Sequence, residues 1–121
     1  MNTQKPKVFG APKTQRVFER FNEKVWQMCK RIPKGKVATY KTIAKALHTT
    51  AYRAVGQALK RNPYAPTVPC HRVVASDGSI GGFMGKVKGR SISKKVRLLS
   101  REGVQIKNNK IIDFKKRLFR F

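Results

Sequence analysis

Twenty-nine lysines and arginines stand against five acids in this 121-residue chain, a formal net charge of +24. Repulsion on that scale works against any compact state and goes far beyond what solubility asks of a small domain. The chain can fold only around a sufficient apolar core. Its 40% hydrophobic content, with seven phenylalanines, supplies one of modest size, suited to a single domain. A polyanionic partner is the natural reason for such a load, against the plainer reading of a lysine-rich solvated surface. Nucleic acid fits that partner better than a membrane surface, because no basic amphipathic helix stands apart from the core pattern. There is no long apolar run and no signal-peptide region, and two cysteines do not make a disulfide framework. An intracellular, reducing location is therefore expected, cytoplasmic in a prokaryote or nuclear in a eukaryote.

Residues 1–12, with Pro6, Gly10 and Pro12, read as an extended lead-in to one domain over residues 13–121. Thr14 can cap a helix whose apolar stripe runs Val17, Phe18, Phe21, Val25, Cys29 and Ile32, widened by Trp26 and Met28 and stopped by Pro33 and Gly35. Cys29 on that stripe reads as a small core residue. After an extended link at residues 37–39, Thr39 is placed to cap a short helix over residues 40–47; residues 48–50 turn, and a third helix covers residues 51–61. Two short helices across a tight turn in a basic domain suggest a helix-turn-helix, and with it a mainly α, winged-helix-like fold with short β segments. Ala51, Ala54, Gly56 and Ala58 leave the third helix smooth, while Arg53 projects from it. Glycine inside a helix costs about 1 kcal/mol relative to alanine, so it wants a reason, either a groove or a neighbouring helix at close approach. Ser91 can cap a fourth helix with Ile92, Val96 and Leu99 inward, ending at Glu102 and Gly103. Residues 104–112 read as two short strands turning at Asn108-Asn109, and a basic, aromatic tail begins near residue 113, packed on the domain or ordered on DNA.

The chemistry concentrates at Val68-Pro69-Cys70-His71-Arg72-Val73-Val74, where one of two cysteines meets one of two histidines. A thiol is nucleophilic only as thiolate, and a neighbouring base or positive charge raises that fraction. Adjacent side chains on a strand point to opposite faces, so direct contact requires a turn or a bridging water. Taken alone the dipeptide fits a buried structural cysteine at least as well. A proline-stiffened loop, residues 62–69, leads into it, and Gly81-Gly82-Phe83-Met84-Gly85 follows as a loop able to wall a pocket. That loop lacks the GxGxxG order of a phosphate cradle.

Pro69-Cys70-His71-Arg72-Val73-Val74 resembles the motif of the O6-alkylguanine-DNA alkyltransferases, also called methylated-DNA–protein-cysteine methyltransferases. Further matching pieces occur in the family's order: Ile32-Pro33-x-Gly35, Thr39-Tyr40-x-x-Ile43-Ala44, Arg53-Ala54-Val55-Gly56, Asn62-Pro63, Gly81-Gly82-Phe83-x-Gly85 and Leu98-Leu99-x-x-Glu102-Gly103. The resemblance implies single-use acceptance by Cys70 of an alkyl group from guanine O6, or from thymine O4, in double-stranded DNA. It implies no cofactor and a monomer. His71 would draw off the thiol proton through a water, with Glu102 orienting it. Tyr40 would help turn the nucleotide out and hydrogen-bond guanine N3. Arg53 would fill the space left by the flipped base, while Ala51, Ala54 and Gly56 let the helix sit in the minor groove. Thr39 falls where a hydroxyl contacts phosphate. Asn62, Val73, Phe83, Met84 and Tyr40 would line the substrate pocket.

The chain departs from the family pattern in lacking, before its first helix, the length for the N-terminal domain that many members carry, and with it any zinc site. Phe83 stands where some members have tyrosine, Lys86 replaces a usual glycine, and residues 86–90 look like a small insertion. Three alternatives compete with the transferase. An alkyltransferase-like protein binds lesions without transfer, but such proteins carry another residue in place of Cys70. The others are an architectural helix-turn-helix DNA binder and, least suited to this charge, a Cys-His hydrolase.

Overall fold

The computed structural model describes residues 13–82 and 89–121. The order is α1 (Lys13–Arg31), β1 (Ala38–Thr39), α2 (Tyr40–Ala46), α3 (Tyr52–Lys60), a 3-10 turn (Cys70–Arg72), β2 (Val73–Val74), α4 (Arg90–Arg101), β3 (Ile106–Lys107), β4 (Lys110–Ile111) and α5 (Phe114–Arg117). The architecture is mainly helical with short strands, as the periodicity predicts. None of the described helices is long and apolar enough to cross a membrane.

α1 buries Val25, Trp26, Cys29 and Ile32 on one face, and Trp26 Nε1–H donates to Ala58 O at 2.7 Å, which locks α1 to α3. Burial pushes the Cys29 thiol up to about 12, and the nearby Cys70 charge adds to it, so Cys29 is an inert core group. α1 is described from Lys13, and the capping expectation for the Thr14 side chain falls outside the described residues. Ser91 lies inside α4, whose N-cap is Gly89 at φ 91°. The expectations for the side chains of Val17 and Phe18, and for residues 1–12 and 83–88, fall outside the described residues.

Thr39 caps α2 as its sequence position predicts. Its Oγ1 accepts from Thr42 N–H at 3.0 Å, and Thr42 Oγ1 accepts in return from Thr39 N–H at 2.9 Å, a reciprocal box worth about 1 kcal/mol. His48 takes a left-handed φ of 57° in the turn before α3, completing the helix-turn-helix. β1 and β2 pair in parallel with Ala38 opposite Val73 and Thr39 opposite Val74. This pairing brings the start of α2 beside the end of the cysteine motif. The β3–β4 hairpin turns at Asn108 and Asn109, both at positive φ, where asparagine is tolerated. The tail packs back on the domain: Val37 N–H donates to Arg117 O at 2.8 Å and Phe119 N–H to Val37 O at 2.7 Å.

Candidate active site

Cys70 and His71 sit in the first two positions of the 3-10 turn, not on a strand. Three residues per turn splay neighbouring side chains apart, so the two groups share an environment without facing one another. The approach is fixed by Asn62. Its Nδ2–H donates to Val68 O at 2.9 Å and its Oδ1 accepts from Tyr64 N–H at 2.9 Å, while Cys70 N–H donates to Val68 O at 2.8 Å. The proline-rich loop is thus pinned by the side chain that opens it.

Behind the cysteine lies a short charged chain. His71 Nε2 meets Glu102 Oε2 at 3.1 Å; Arg72 grips the same carboxylate in a fork, Nε–H to Oε1 at 2.9 Å and Nη2–H to Oε2 at 2.6 Å, and its Nη1–H donates to Ile32 O at 2.7 Å. Burial pushes the Glu102 carboxyl up, but hydrogen bonds from Arg72 and His71 outweigh it and hold it below the usual glutamate range. An ionised carboxylate accepts only, so Nε2 carries the proton and Nδ1 presents its lone pair. Nδ1 is buried and has no hydrogen-bond partner among the described residues. Burial pushes the imidazole down, Glu102 offsets this only in part, and Arg72 and Lys95 lower it further, so the ring is neutral near neutral pH. That is the state of a general base.

The thiol itself is not pre-ionised. Cys70 is 5% exposed, and burial raises its pKa; a hydrogen bond from Asn62 and the charge of Lys95 pull it part of the way back. Desolvation of the charged form dominates, which suits the expectation that the proton is drawn off by a base rather than lost at rest.

Lys95 is a buried charge in this neighbourhood that the sequence reading did not single out. It is 0% exposed, and its Nζ donates to the carbonyls of Val73 (2.7 Å), Ile80 and Gly82 (2.9 Å). Burial pushes the ammonium down to about 7, and the Cys70 charge pulls it up. The signal was present: position 95 falls on the inward stripe of Ile92, Val96 and Leu99, where a lysine is out of place.

Of the other expected residues, Tyr40 opens α2 with its phenol pushed up first by burial and then by the Cys70 charge, so it stays a hydrogen-bond donor. An added Cβ at Gly81 would lie 3.1 Å from Tyr40 Oη, which puts the 81–82 loop against that ring. Thr39 is 4% exposed with its hydroxyl committed to the cap, so no free hydroxyl faces outward there. Val73 is fully buried on β2. Ala51 and Arg53 are exposed, Ala54 and Gly56 half-buried, and a Cβ at Gly56 would meet nothing within 4 Å. Ala58, by contrast, is fully buried against α1, so of the small residues only Ala51, Ala54 and Gly56 leave an accessible face. Phe83 and Met84 fall outside the described residues.

The family described as 6-O-methylguanine DNA methyltransferase, DNA binding domain, matches residues 20–104. A methylated-DNA–protein-cysteine methyltransferase of Sulfolobus acidocaldarius is 46% identical over 86 residues, 71% of this chain and 51% of that protein. The chain spans about half the length of the curated relatives that it matches. Among solved structures, the O6-methylguanine-DNA methyltransferase of the hyperthermophilic archaeon Pyrococcus kodakaraensis aligns with a TM-score of 0.60 at 49% identity, covering 69% of this chain and 46% of that one. Atl1 of S. pombe, in complex with damaged DNA containing O6-carboxymethylguanine, aligns with a TM-score of 0.69 at 28% identity, covering 85% and 97%.

Proposed function

The chain belongs to the 6-O-methylguanine DNA methyltransferase family through its DNA-binding domain, and from that premise we propose that it repairs DNA by moving the alkyl group of O6-alkylguanine irreversibly onto Cys70. The observation that carries the reading is the Arg72–Glu102–His71 chain ending in a buried, unpartnered Nδ1 one residue from a protonated thiol. A water between Nδ1 and Sγ lets His71 take the thiol proton; Sγ then bonds to the alkyl carbon as the carbon–O6 bond breaks, and its electron pair goes to the purine. The Tyr40 phenol, facing guanine N3, supplies a hydrogen bond to the departing base. Asn62 and Val73 line the pocket with it. The acceptor is spent, and no cofactor takes part.

Double-stranded DNA is the partner, and residues 13–121 act on it as one monomeric domain. The exposed small face of α3 enters the minor groove with Arg53 in the space of the flipped nucleotide, which offsets the few kcal/mol of unstacking. A hollow of about 550 Å³ beside this helix, lined by Lys41, Lys45, His48, Thr49, Thr50 and Tyr52, has donors suited to the flanking phosphates. A second reading, lesion binding without transfer, draws on the likeness to Atl1. Intact protein mass after incubation with duplex DNA bearing O6-methylguanine separates the two. Transfer adds one methylene to the peptide containing Cys70, whereas binding with unchanged mass rejects transfer and leaves the second reading.

Arg53→Ala should slow repair of duplex lesions roughly tenfold or more, the scale of a flipping cost left uncompensated. Reaction with the free base O6-benzylguanine should be nearly unaffected. Equal losses on both substrates would make Arg53 a support of the fold.

A further inference from the structure

We infer that the C-terminal segment from the β3–β4 hairpin to Phe119, which lies beyond the family match, sets the gap between Tyr40 and Gly81 and thereby the size of O6 substituent that reaches Cys70. This rests on the reading of Cys70 as the alkyl acceptor. The segment touches both walls of that gap. On one side, Ile111 N–H donates to Gly78 O at 2.9 Å and Ile80 N–H to Asn109 O at 3.1 Å, so residues 78–80 lie along β4 as a further strand, with Ser79 bridged to Lys110. Asp113, at a left-handed φ of 57°, turns the chain so that the Phe114 ring lies under Gly78; a Cβ there would sit 3.1 Å from Cγ and Cδ2. Gly81 follows Ile80 directly and abuts Tyr40 Oη.

On the other side, residues 117–119 pair with Val37, one residue ahead of β1 and three ahead of Tyr40. Lys36 Nζ donates to Lys116 O at 2.8 Å and Arg117 Nη1–H to Gly35 O at 3.2 Å, which fastens the same strap to the loop before β1. One continuous element thus holds the strand leading to Tyr40 and the strand leading to Gly81. Packed interiors shift between discrete arrangements more readily than they stretch, so loosening one end of the strap moves one wall relative to the other. Phe114 is the specificity-determining residue here, because its ring supplies the nearest atoms under Gly78.

The test compares wild type with Phe114→Ala in reaction with the free bases O6-methylguanine and O6-benzylguanine, read by intact mass, alongside hydrogen exchange of residues 78–82. The variant should exchange faster in that segment and raise the benzyl-to-methyl rate ratio roughly tenfold, the scale on which a pocket discriminates by substituent size. Phe114→Leu, which keeps the apolar volume and loses the ring face, should move both readouts less in the same direction, and it serves if the alanine variant does not fold. An unchanged ratio with wild-type protein that accepts both bases overturns the inference, whether or not exchange quickens. Wild-type protein that takes no alkyl group from either base or from duplex DNA bearing O6-methylguanine overturns the acceptor reading itself, and this inference with it.

Discussion

Replacing Cys70 with serine should abolish alkyl transfer, by roughly four orders of magnitude or more on the scale seen when a nucleophile is removed, while DNA binding persists. A hydroxyl is far less acidic than a thiol, and the surroundings of Cys70 already disfavour the anion. The side chain is buried, and Asn62 and Lys95 recover only part of the cost of charging it. A neutral imidazole can relieve a thiol of its proton through one water as the alkyl carbon is attacked, whereas serine offers this site a much less acidic group and a poorer nucleophile toward an alkyl carbon. The binding mode proposed above draws on the exposed face of α3 and on a chain charge of +24, neither of which the substitution touches. Intact mass against O6-methylguanine DNA and fluorescence anisotropy with the same duplex measure the two effects. Residual methylation of Cys70→Ser at wild-type speed would place the acceptor elsewhere, and Cys29, buried with its thiol pushed up to about 12, is a poor substitute.

Glu102→Ala should be the most costly change outside the nucleophile, because one carboxylate serves both Arg72 and His71. Its removal strands a guanidinium whose third contact is Ile32 O, and taking one partner from such a part-buried pair costs about 3 kcal/mol. His71 would lose the group that fixes its tautomer, and burial and neighbouring cations would push it further down. Transfer should fall roughly a hundredfold, the lower range of what a positioned base contributes. Glu102→Gln keeps the shape and should recover most of the stability but less of the rate, since a neutral amide favours Nε2–H less strongly. The pH dependence distinguishes them. An unfolded glutamate titrates near 4.5 and the folded Glu102 below that, so its stabilisation is complete above pH 4.5 and fades as pH falls through the folded value. Thermal denaturation across that acid window should converge for wild type and Glu102→Gln. Curves that stay parallel would mean that the carboxylate charge contributes little.

Several of these features were open to a linear reading. The stripe of α1 and the capping position of Thr39 are properties of local spacing, and both elements appear where that spacing puts them. Glu102 was conspicuous as one of five acids at a helix C-terminus, where the dipole is unfavourable and a partner is required. Which partner it takes was not legible: Arg72 was part of the motif but had no assigned role, and the fork to Glu102 spans 30 positions. Thr39 illustrates the converse. Its residue type suits a phosphate contact, yet the hydroxyl is consumed by the reciprocal cap with Thr42.

The sequence alone determined the charge that calls for a polyanion, the helical periodicities, the helix-turn-helix and the order of motifs that identifies the family, because each depends on residues a few positions apart. Only the tertiary structure decided that Cys70 is buried in surroundings that disfavour its anion, that a lysine from the inward face of α4 is buried on the carbonyls of Val73, Ile80 and Gly82, and that the C-terminal strap joins the strand before Tyr40 to the one before Gly81. Those outcomes depend on desolvation and on contacts between segments distant in the chain, such as Val37 with Leu118 and Gly78 with Phe114. No local pattern encodes how far a side chain is removed from water, and that removal sets the chemistry here.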